Sequence, residues 1–102
     1  MRVYVIPAQG TPRDYWMENN LYHFQALVGG YIQTCAPAEL RARGIELLCN
    51  EEGVLSYLPV NENLYPFFYV GQLVAVGVDG EEFVSLTDAQ ADFIRLWVQH
   101  LH

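Results

Sequence analysis

The sequence predicts an α+β fold: a mainly antiparallel, curved sheet with one short helix and one C-terminal helix packed on one side of it. Residues 73–78 and 82–86 are apolar runs joined by Asp79-Gly80, the strongest short hairpin signal in the chain. Thr87-Asp88-Ala89-Gln90 then fits a capping box, which begins a helix that extends towards the C-terminus. Apolar residues spaced by three and four positions after Asn20 indicate the earlier helix.

The first third of the chain predicts a hairpin and that short helix. Residues 2–6 are mostly β-branched or aromatic and stop at Pro7, and residues 13–18 can return as a second strand. Asn19 or Asn20 can cap the helix, and Gly29 can end it in the left-handed conformation. Its predicted buried stripe consists of Leu21, Phe24, Leu27 and Val28.

The middle of the chain predicts strands at residues 31–35 and 45–49, separated by a helix of one or two turns. Residues 50–53 (Asn-Glu-Glu-Gly) resemble the turn of a second hairpin, with Gly53 supplying a positive φ and residues 54–58 returning as a strand. Residues 59–66 are irregular. The predicted buried face of the C-terminal helix consists of Phe93, Leu96, Trp97, His100 and Leu101, widened by Ile94 and Val98.

Length and charge limit the classes of function. The 102 residues predict one domain, 1–102, and 52% hydrophobic content indicates an ordered core. Twelve acidic residues face five Arg and no Lys, a formal charge of −7, which disfavours direct binding of DNA or RNA and suits a basic partner. No apolar run predicts a membrane span or a signal peptide, so we expect a cytoplasmic protein.

No pattern in the sequence indicates catalysis. Ser56 and Ser85 lack the Gly-x-Ser-x-Gly elbow, and Cys35 and Cys49 lie among apolar neighbours in a spacing that matches no zinc site. The three His are scattered, and the short acidic turns have too few oxygens for a cation site. We therefore expect a protein that is not an enzyme and that needs no cofactor or metal.

The aromatic content indicates a binding role. Seven Tyr, five Phe and two Trp are more than one small core easily buries, which favours an exposed recognition surface and a homodimer. Residues 57–69 combine tyrosines with Asn61 and Asn63 and have the character of such a surface, although the same rings could instead cover the sheet as core. The Gly29-Gly30 pair allows a ligand or another backbone to approach closely.

Three motifs carry a family resemblance: residues 27–32 (LVGGYI), 48–53 (LCNEEG) and 58–61 (LPVN). The chain resembles a widespread family of small uncharacterised bacterial proteins, a domain of unknown function common in phages, plasmids and integrated mobile elements. Pro59 and Asn61 match its Leu-Pro-x-Asn element, and residues 50–53 match its acidic turn. The chain departs from the family in its lack of Lys and its many Tyr. The resemblance implies an accessory protein of a mobile element, and it indicates no chemical activity that could be assigned to this chain.

From the motifs and the aromatic segment we predict a ligand- or partner-binding site. Its candidate residues are Gly29, Gly30, Tyr31, Asn50, Glu51, Glu52, Pro59, Asn61 and Tyr65.

Three functions are compatible with this sequence. The first is a non-catalytic binding protein that counters host defence, either by sequestering a small signalling nucleotide, with Tyr rings on the base and Arg41 or Arg43 on phosphates, or by blocking a host protein. The second is an acidic mimic of nucleic acid that inhibits a DNA-binding enzyme. The third is a small metal-assisted enzyme that uses the paired glutamates Glu51 and Glu52.

Overall fold

The computed structural model describes all 102 residues, Met1–His102. Six strands, three α-helices and one 3₁₀ turn follow each other along the chain. They are β1 (Arg2–Ile6), β2 (Arg13–Trp16), α1 (Leu21–Val28), β3 (Ile32–Thr34), α2 (Ala38–Arg41), β4 (Ile45–Asn50), the 3₁₀ turn (Glu62–Leu64), β5 (Leu73–Asp79), β6 (Glu82–Val84) and α3 (Asp88–His100).

All six strands form one antiparallel sheet, in which five follow the order β2-β1-β5-β4-β3 and β6 pairs with β5, and this confirms the predicted fold class. Strand β5 is central: Leu73–Ala75 pair with β1, and Gly77–Asp79 pair with β6. Strands β1 and β6 therefore share the edge of β5 that lies opposite β4. Leu86 N–H donates to the Arg2 carbonyl at 2.9 Å, which links the ends of these two strands.

The two faces of the sheet carry separate cores, because successive side chains of a strand point to opposite faces. Val3 and Val5 lie under α1, whereas Tyr4 and Ile6 lie under α3. The prediction that both helices pack on one side was therefore wrong. The sequences of β1 and β5 show no alternation of polar and apolar residues, because both faces of these strands are buried and apolar.

Helix α3 begins as predicted. The Thr87 hydroxyl accepts from Gln90 N–H at 3.1 Å, and the Gln90 side chain accepts from Thr87 N–H at 3.0 Å. The buried face of the helix is rotated from the predicted one, since it centres on Ala91, Ile94 and Val98. Of the predicted positions, Phe93, Trp97 and Leu101 are half-buried, whereas Leu96 and His100 are exposed.

Helix α1 is capped by Asn20, whose side chain accepts from His23 N–H at 2.8 Å, and it ends at Gly29 with φ +81°, as predicted. Only Phe24 and Val28 of its predicted stripe are fully buried. Leu21 is exposed because it occupies the first position of the helix, beyond the sheet contact.

The predicted hairpin at residues 50–53 does not form. Residues 51–57 make a series of turns, Gly53 does not have a positive φ, and residues 54–58 are not a strand. The physical reason is that β3 and β5 already pair with the two edges of β4. A returning strand along β4 would have to displace one of them.

No helix of the structure has the length and apolar character needed to cross a membrane.

Candidate functional site

A cleft of about 400 Å³ opens where α1 ends and β3 begins. The Gly29 and Gly30 N–H groups both donate to the Gln25 carbonyl, at 2.8 and 3.1 Å, which closes the helix and turns the chain towards Tyr31. The β3–β4 register places Ile32 opposite Asn50, so the end of β4 forms part of the cleft wall. Its lining consists of Gln25, Gly29, Gly30, Tyr31, Asn50, Glu52 and Ser56.

Asn50 braces this cleft. Its side-chain NH₂ donates to the Val28 carbonyl at 3.3 Å, and its Oδ1 accepts from Glu52 N–H at 2.8 Å. A Cβ on Gly30 would lie 2.8 Å from Asn50 Nδ2, closer than real Cβ contacts come. Gly30 and Asn50 therefore form one structural unit, which joins the first two of the sequence motifs in space.

The turn segment, residues 51–57, forms the outer wall of the cleft. It is held by Ser56 N–H to the Glu52 carbonyl at 2.8 Å and by Leu58 N–H to the Gly53 carbonyl at 3.0 Å. Tyr57 has φ +56°, a backbone conformation that costs a bulky residue free energy. The segment consequently presents its apolar side chains to solvent instead of to the core.

A shallow groove of about 140 Å³ lies on the other side of the turn segment. Val54 and Glu51 line it from the turn, and Phe68 lines it from the later loop. The turn segment is thus shared by the cleft and the groove. We call the exposed side chains of this region the turn surface: Tyr31, Glu51, Glu52, Val54, Leu55, Tyr57 and Phe68.

The turn surface is acidic and has no basic residue in either depression. Glu51 and Glu52 make no salt bridge, so their negative charge is uncompensated by this chain. The five arginines lie elsewhere in the fold. Arg2 pairs with Asp14 and Asp88, Arg41 with Glu46 and Arg95 with Asp92, while Arg13 and Arg43 lie over the rings of Tyr15 and Phe93.

The structure thus brings together five predicted site residues, Gly29, Gly30, Tyr31, Asn50 and Glu52, and puts Glu51 in the adjoining groove. The other three line neither depression.

Pro59, Asn61 and Tyr65 belong to the loop after the turn segment. The Pro59 carbonyl accepts from Gly71 N–H at 2.7 Å, and Tyr65 is exposed. Asn61 is fully buried, and its side-chain NH₂ donates to the carbonyls of Ile6 and Gly71 at 3.0 and 2.9 Å. Asn61 therefore fastens the loop to the sheet and presents nothing to a partner.

The aromatic segment 57–69 divides between core and surface. Phe67 stacks on Tyr69 with ring centroids 5.8 Å apart and contacts Trp97 at 5.4 Å, so these rings cover the sheet as core. Tyr57 and Phe68 point to solvent. The core interpretation is confirmed for Phe67 and Tyr69, and a recognition role of the exposed Tyr57 and Phe68 stays a prediction.

Cys35 follows the end of β3 and Cys49 lies on the neighbouring strand β4, beside this aromatic core, and both are half-buried and free. Interaction with the Cys49 thiol, together with burial, raises the pKa of Cys35, whose Sγ donates to the Leu47 carbonyl at 3.5 Å. The same interaction between the two thiols lowers the pKa of Cys49, because it stabilises the thiolate. The Tyr69 hydroxyl donates to the Cys35 carbonyl at 2.7 Å, and burial raises the pKa of Tyr69 to about 12.

Sequence reasoning missed four residues of the region: Gln25, Val54, Leu55 and Ser56. The last three belong to a segment that was predicted to be a strand, because a short apolar run has the same sequence pattern whether it forms a strand or a turn. Gln25 carried no signal beyond its place in a helix. The structure contains no group of three or more His, Cys, Asp or Glu side chains that could hold a metal ion.

Comparison with models of protein families shows which family the chain belongs to. The model of a family described as a domain of unknown function, DUF3846, matches residues 1–101. The chain belongs to this family. The match covers every element of the sheet and all three helices, so the cleft and the turn segment are parts of the family's domain. No curated protein and no solved structure matches the chain.

Proposed function

We propose that this DUF3846 domain is a non-catalytic binding protein that covers a basic surface of a host protein. The observation that carries the proposal is the turn surface, whose apolar and acidic side chains are exposed. Hydrogen bonds hold the turn segment in place, and its backbone is strained at Tyr57.

Exposure of the apolar side chains supports a protein partner. Val54, Leu55, Tyr57 and Phe68 are 74, 79, 93 and 84% exposed, although each would gain free energy by burial. Contiguous exposed apolar groups with a polar rim are typical of interaction sites. Tyr and Phe are also residues that anchor interfaces with little loss of side-chain entropy.

The strained residue supports the same conclusion. A tyrosine with positive φ costs on the order of 1–3 kcal/mol, and such costs concentrate at functional sites. The Tyr57 ring has no compensating burial within the chain, since Tyr57 is the most exposed of the large hydrophobic residues. Burial of this ring against a partner would supply the compensation.

Charge supports a basic partner. Glu51 and Glu52 flank the apolar side chains, and the whole chain carries a formal charge of −7. A positive surface would be attracted over a long range and oriented on approach. A second copy of this chain is disfavoured at this surface, because a two-fold contact would place four unpaired glutamates together.

The alternatives have less support. A signalling nucleotide in the cleft would meet Glu52 and no cation, whereas Arg41 lies at the opposite end of β4, paired with Glu46. A nucleic-acid mimic needs aligned carboxylates, but Glu51 and Glu52 lie at the far end of the sheet from the acidic β5–β6 turn. A metal-assisted reaction at the glutamate pair would need both carboxylates to converge, and they line different depressions.

The biological setting of the proposal comes from the sequence resemblance alone. The resemblance to proteins of phages and plasmids suggests action in the cytoplasm of a bacterial host cell, where covering a defence protein would benefit a mobile element. The turn surface is compatible with that role and does not depend on it.

Affinity capture followed by a direct binding measurement tests the proposal. The wild-type protein is immobilised, captured bacterial proteins are identified, and the affinity of each purified candidate is measured by calorimetry. We expect a basic partner whose affinity falls at least about tenfold in the variant Leu55→Ser/Tyr57→Ser/Phe68→Ser, because buried aromatic anchors dominate interface energies. Affinity should also fall when NaCl rises from about 0.05 to about 0.5 M.

The matched control is Trp16→Ser/Tyr22→Ser, which removes two rings that are also exposed but lie outside the turn surface. This control should keep wild-type affinity. Partners that bind the turn-surface variant and the wild type equally, or that bind through Trp16 and Tyr22, contradict the proposal.

A further inference from the structure

We infer that the cleft at the end of α1 binds the guanidinium group of an arginine side chain supplied by the partner. This inference rests on the proposed function and names the chemistry that the cleft recognises. Four features of the cleft carry it: a helix C-terminus without a basic residue, an unpaired carboxylate, an exposed ring and a set of neutral acceptors.

The helix end makes the cleft favourable for a cation. The C-terminus of α1 carries the partial negative charge of the helix dipole, and the last turn of α1 has no basic residue to balance it. The backbone itself is largely satisfied there, since the carbonyls of Leu27 and Val28 accept from the side chains of Gln72 and Asn50. These donors are neutral amides, so no full positive charge balances the helix end beside the cleft.

Glu52 supplies the full negative charge. Its N–H is engaged by Asn50 Oδ1, which fixes the backbone of the residue at the cleft wall, while its carboxylate forms no salt bridge. No basic side chain of this chain lines the cleft, so the cation must come from outside. A phosphate or carboxylate ligand would be repelled by the same two features.

Tyr31 selects among cations. Tyr31 is 69% exposed and lines the cleft. A planar guanidinium can lie against such a ring while its N–H fork pairs with a carboxylate, whereas an ammonium group is a compact, strongly hydrated charge. The neutral oxygens of Gln25 and Ser56 offer acceptors for the remaining N–H groups. Arginine therefore fits this lining better than lysine.

The test uses the peptide acetyl-Gly-Arg-Gly-amide as the probe and amide chemical shifts of the whole 102-residue protein as the readout. We expect saturable shifts at Gly29, Gly30 and Glu52 with a Kd of about 1 mM, as befits one side chain. The citrulline peptide, which has the same shape without charge, should bind at least about tenfold more weakly, and the lysine peptide should also bind more weakly.

Variants locate the interaction. Glu52→Gln and Tyr31→Leu should each weaken the arginine peptide about fivefold or more, since each removes one of the two features that hold the guanidinium. Glu62→Gln is the matched control, because it removes an exposed carboxylate outside the cleft and should leave the Kd unchanged.

Equal binding of the citrulline and arginine peptides, shifts confined to other parts of the chain, or shifts at Gly29 and Gly30 caused by adenosine diphosphate would each overturn the inference. The proposed function is judged separately by the turn-surface variant. If that variant loses affinity for the partner and the wild type does not respond to the arginine peptide, the inference of an arginine pocket is rejected and the proposed function stands.

Discussion

The β5–β6 hairpin and the turn segment after β4 lie at opposite ends of the two middle strands, and only the first reverses the chain into a neighbouring strand. The hairpin pairs Asp79 with Glu82 and Gly77 with Val84. The turn segment coils over the end of the sheet and exposes Leu55 and Tyr57. Both regions are short acidic turns that contain a glycine and precede an apolar run.

The difference lies in which strand edges are free. Strand β1 pairs with β5 only as far as Ala75, so the rest of that edge is available to β6. Strand β4 has β3 on one edge and β5 on the other. A hairpin signal thus becomes a hairpin only where the sheet has a vacant edge, and an apolar run without one becomes an exposed surface.

The two glycines also serve different purposes. Gly80 has φ +62° with open space around it, so it is there for its backbone conformation. Gly53 lies in a confined place, where a Cβ would be 2.8 Å from Val70 Cγ2 and 3.3 Å from the Asn50 carbonyl oxygen. This contrast can be tested by substitution.

The largest expected effect is that of Gly53→Ala. We expect it to lower the free energy of unfolding by about 2–3 kcal/mol, because the methyl group overpacks the contact between the turn segment and Val70. Urea denaturation measures the loss. A change below about 0.5 kcal/mol would contradict the close packing and favour a flexible turn.

The brace at Asn50 should show strong coupling with Gly30. Asn50→Ala removes two hydrogen bonds and should cost about 2 kcal/mol. Gly30→Ala should cost about 1–3 kcal/mol in the wild type, through collision with Asn50, and little in the Asn50→Ala background. A double-mutant cycle should therefore give a coupling free energy above about 1 kcal/mol. If the losses of the two single variants simply add in the double variant, Gly30 and Asn50 do not interact.

Gly80→Asn provides the opposite case. Asparagine tolerates the left-handed conformation and the position is open, so we expect a loss below about 0.5 kcal/mol. Gly53→Asn, in contrast, should be at least as harmful as Gly53→Ala, because its side chain is larger. If both glycines tolerated Asn, the distinction between conformation and space would fail.

Tyr69, behind the turn segment, should give the smallest effect, visible only at high pH. Burial raises its pKa from 10.0 to about 12 in the folded state, so the neutral form is favoured by folding. Its contribution to stability is complete below pH 10 and is lost as the pH rises through about 12. Because burial also raises the pKa of Tyr4, titration of tyrosine absorbance should show one tyrosine fewer ionising near pH 12 in Tyr69→Phe than in the wild type; an unchanged number would reject the assignment.

Local signals predicted the elements that depend on local chemistry. The capping box at Thr87 and the left-handed cap at Gly29 follow from side-chain and backbone preferences within one turn, and both are confirmed. The rotated face of α3 and the placement of α1 on the opposite face were not predictable in this way, because they depend on how apolar strands pack on two sides.

The candidate site was half predictable for the same reason. The motifs marked Gly29, Gly30 and Asn50, and the β3–β4 register brings them together. Asn61 also lies in one of the motifs, but it stabilises the core, because its buried side-chain NH₂ donates to two backbone carbonyls. The exposed run at Val54 and Leu55 went unseen, because strand propensity does not reveal whether a partner edge exists.

Photo-crosslinking inside a bacterial cell that produces the protein tests the central claim most directly, namely that the turn surface contacts a partner. A benzophenone amino acid is placed at position 57 in one variant and at position 16 in another, since both side chains are exposed. We expect a discrete crosslink to a basic protein from position 57 and none from position 16. A crosslink from position 16 with none from position 57 would contradict it.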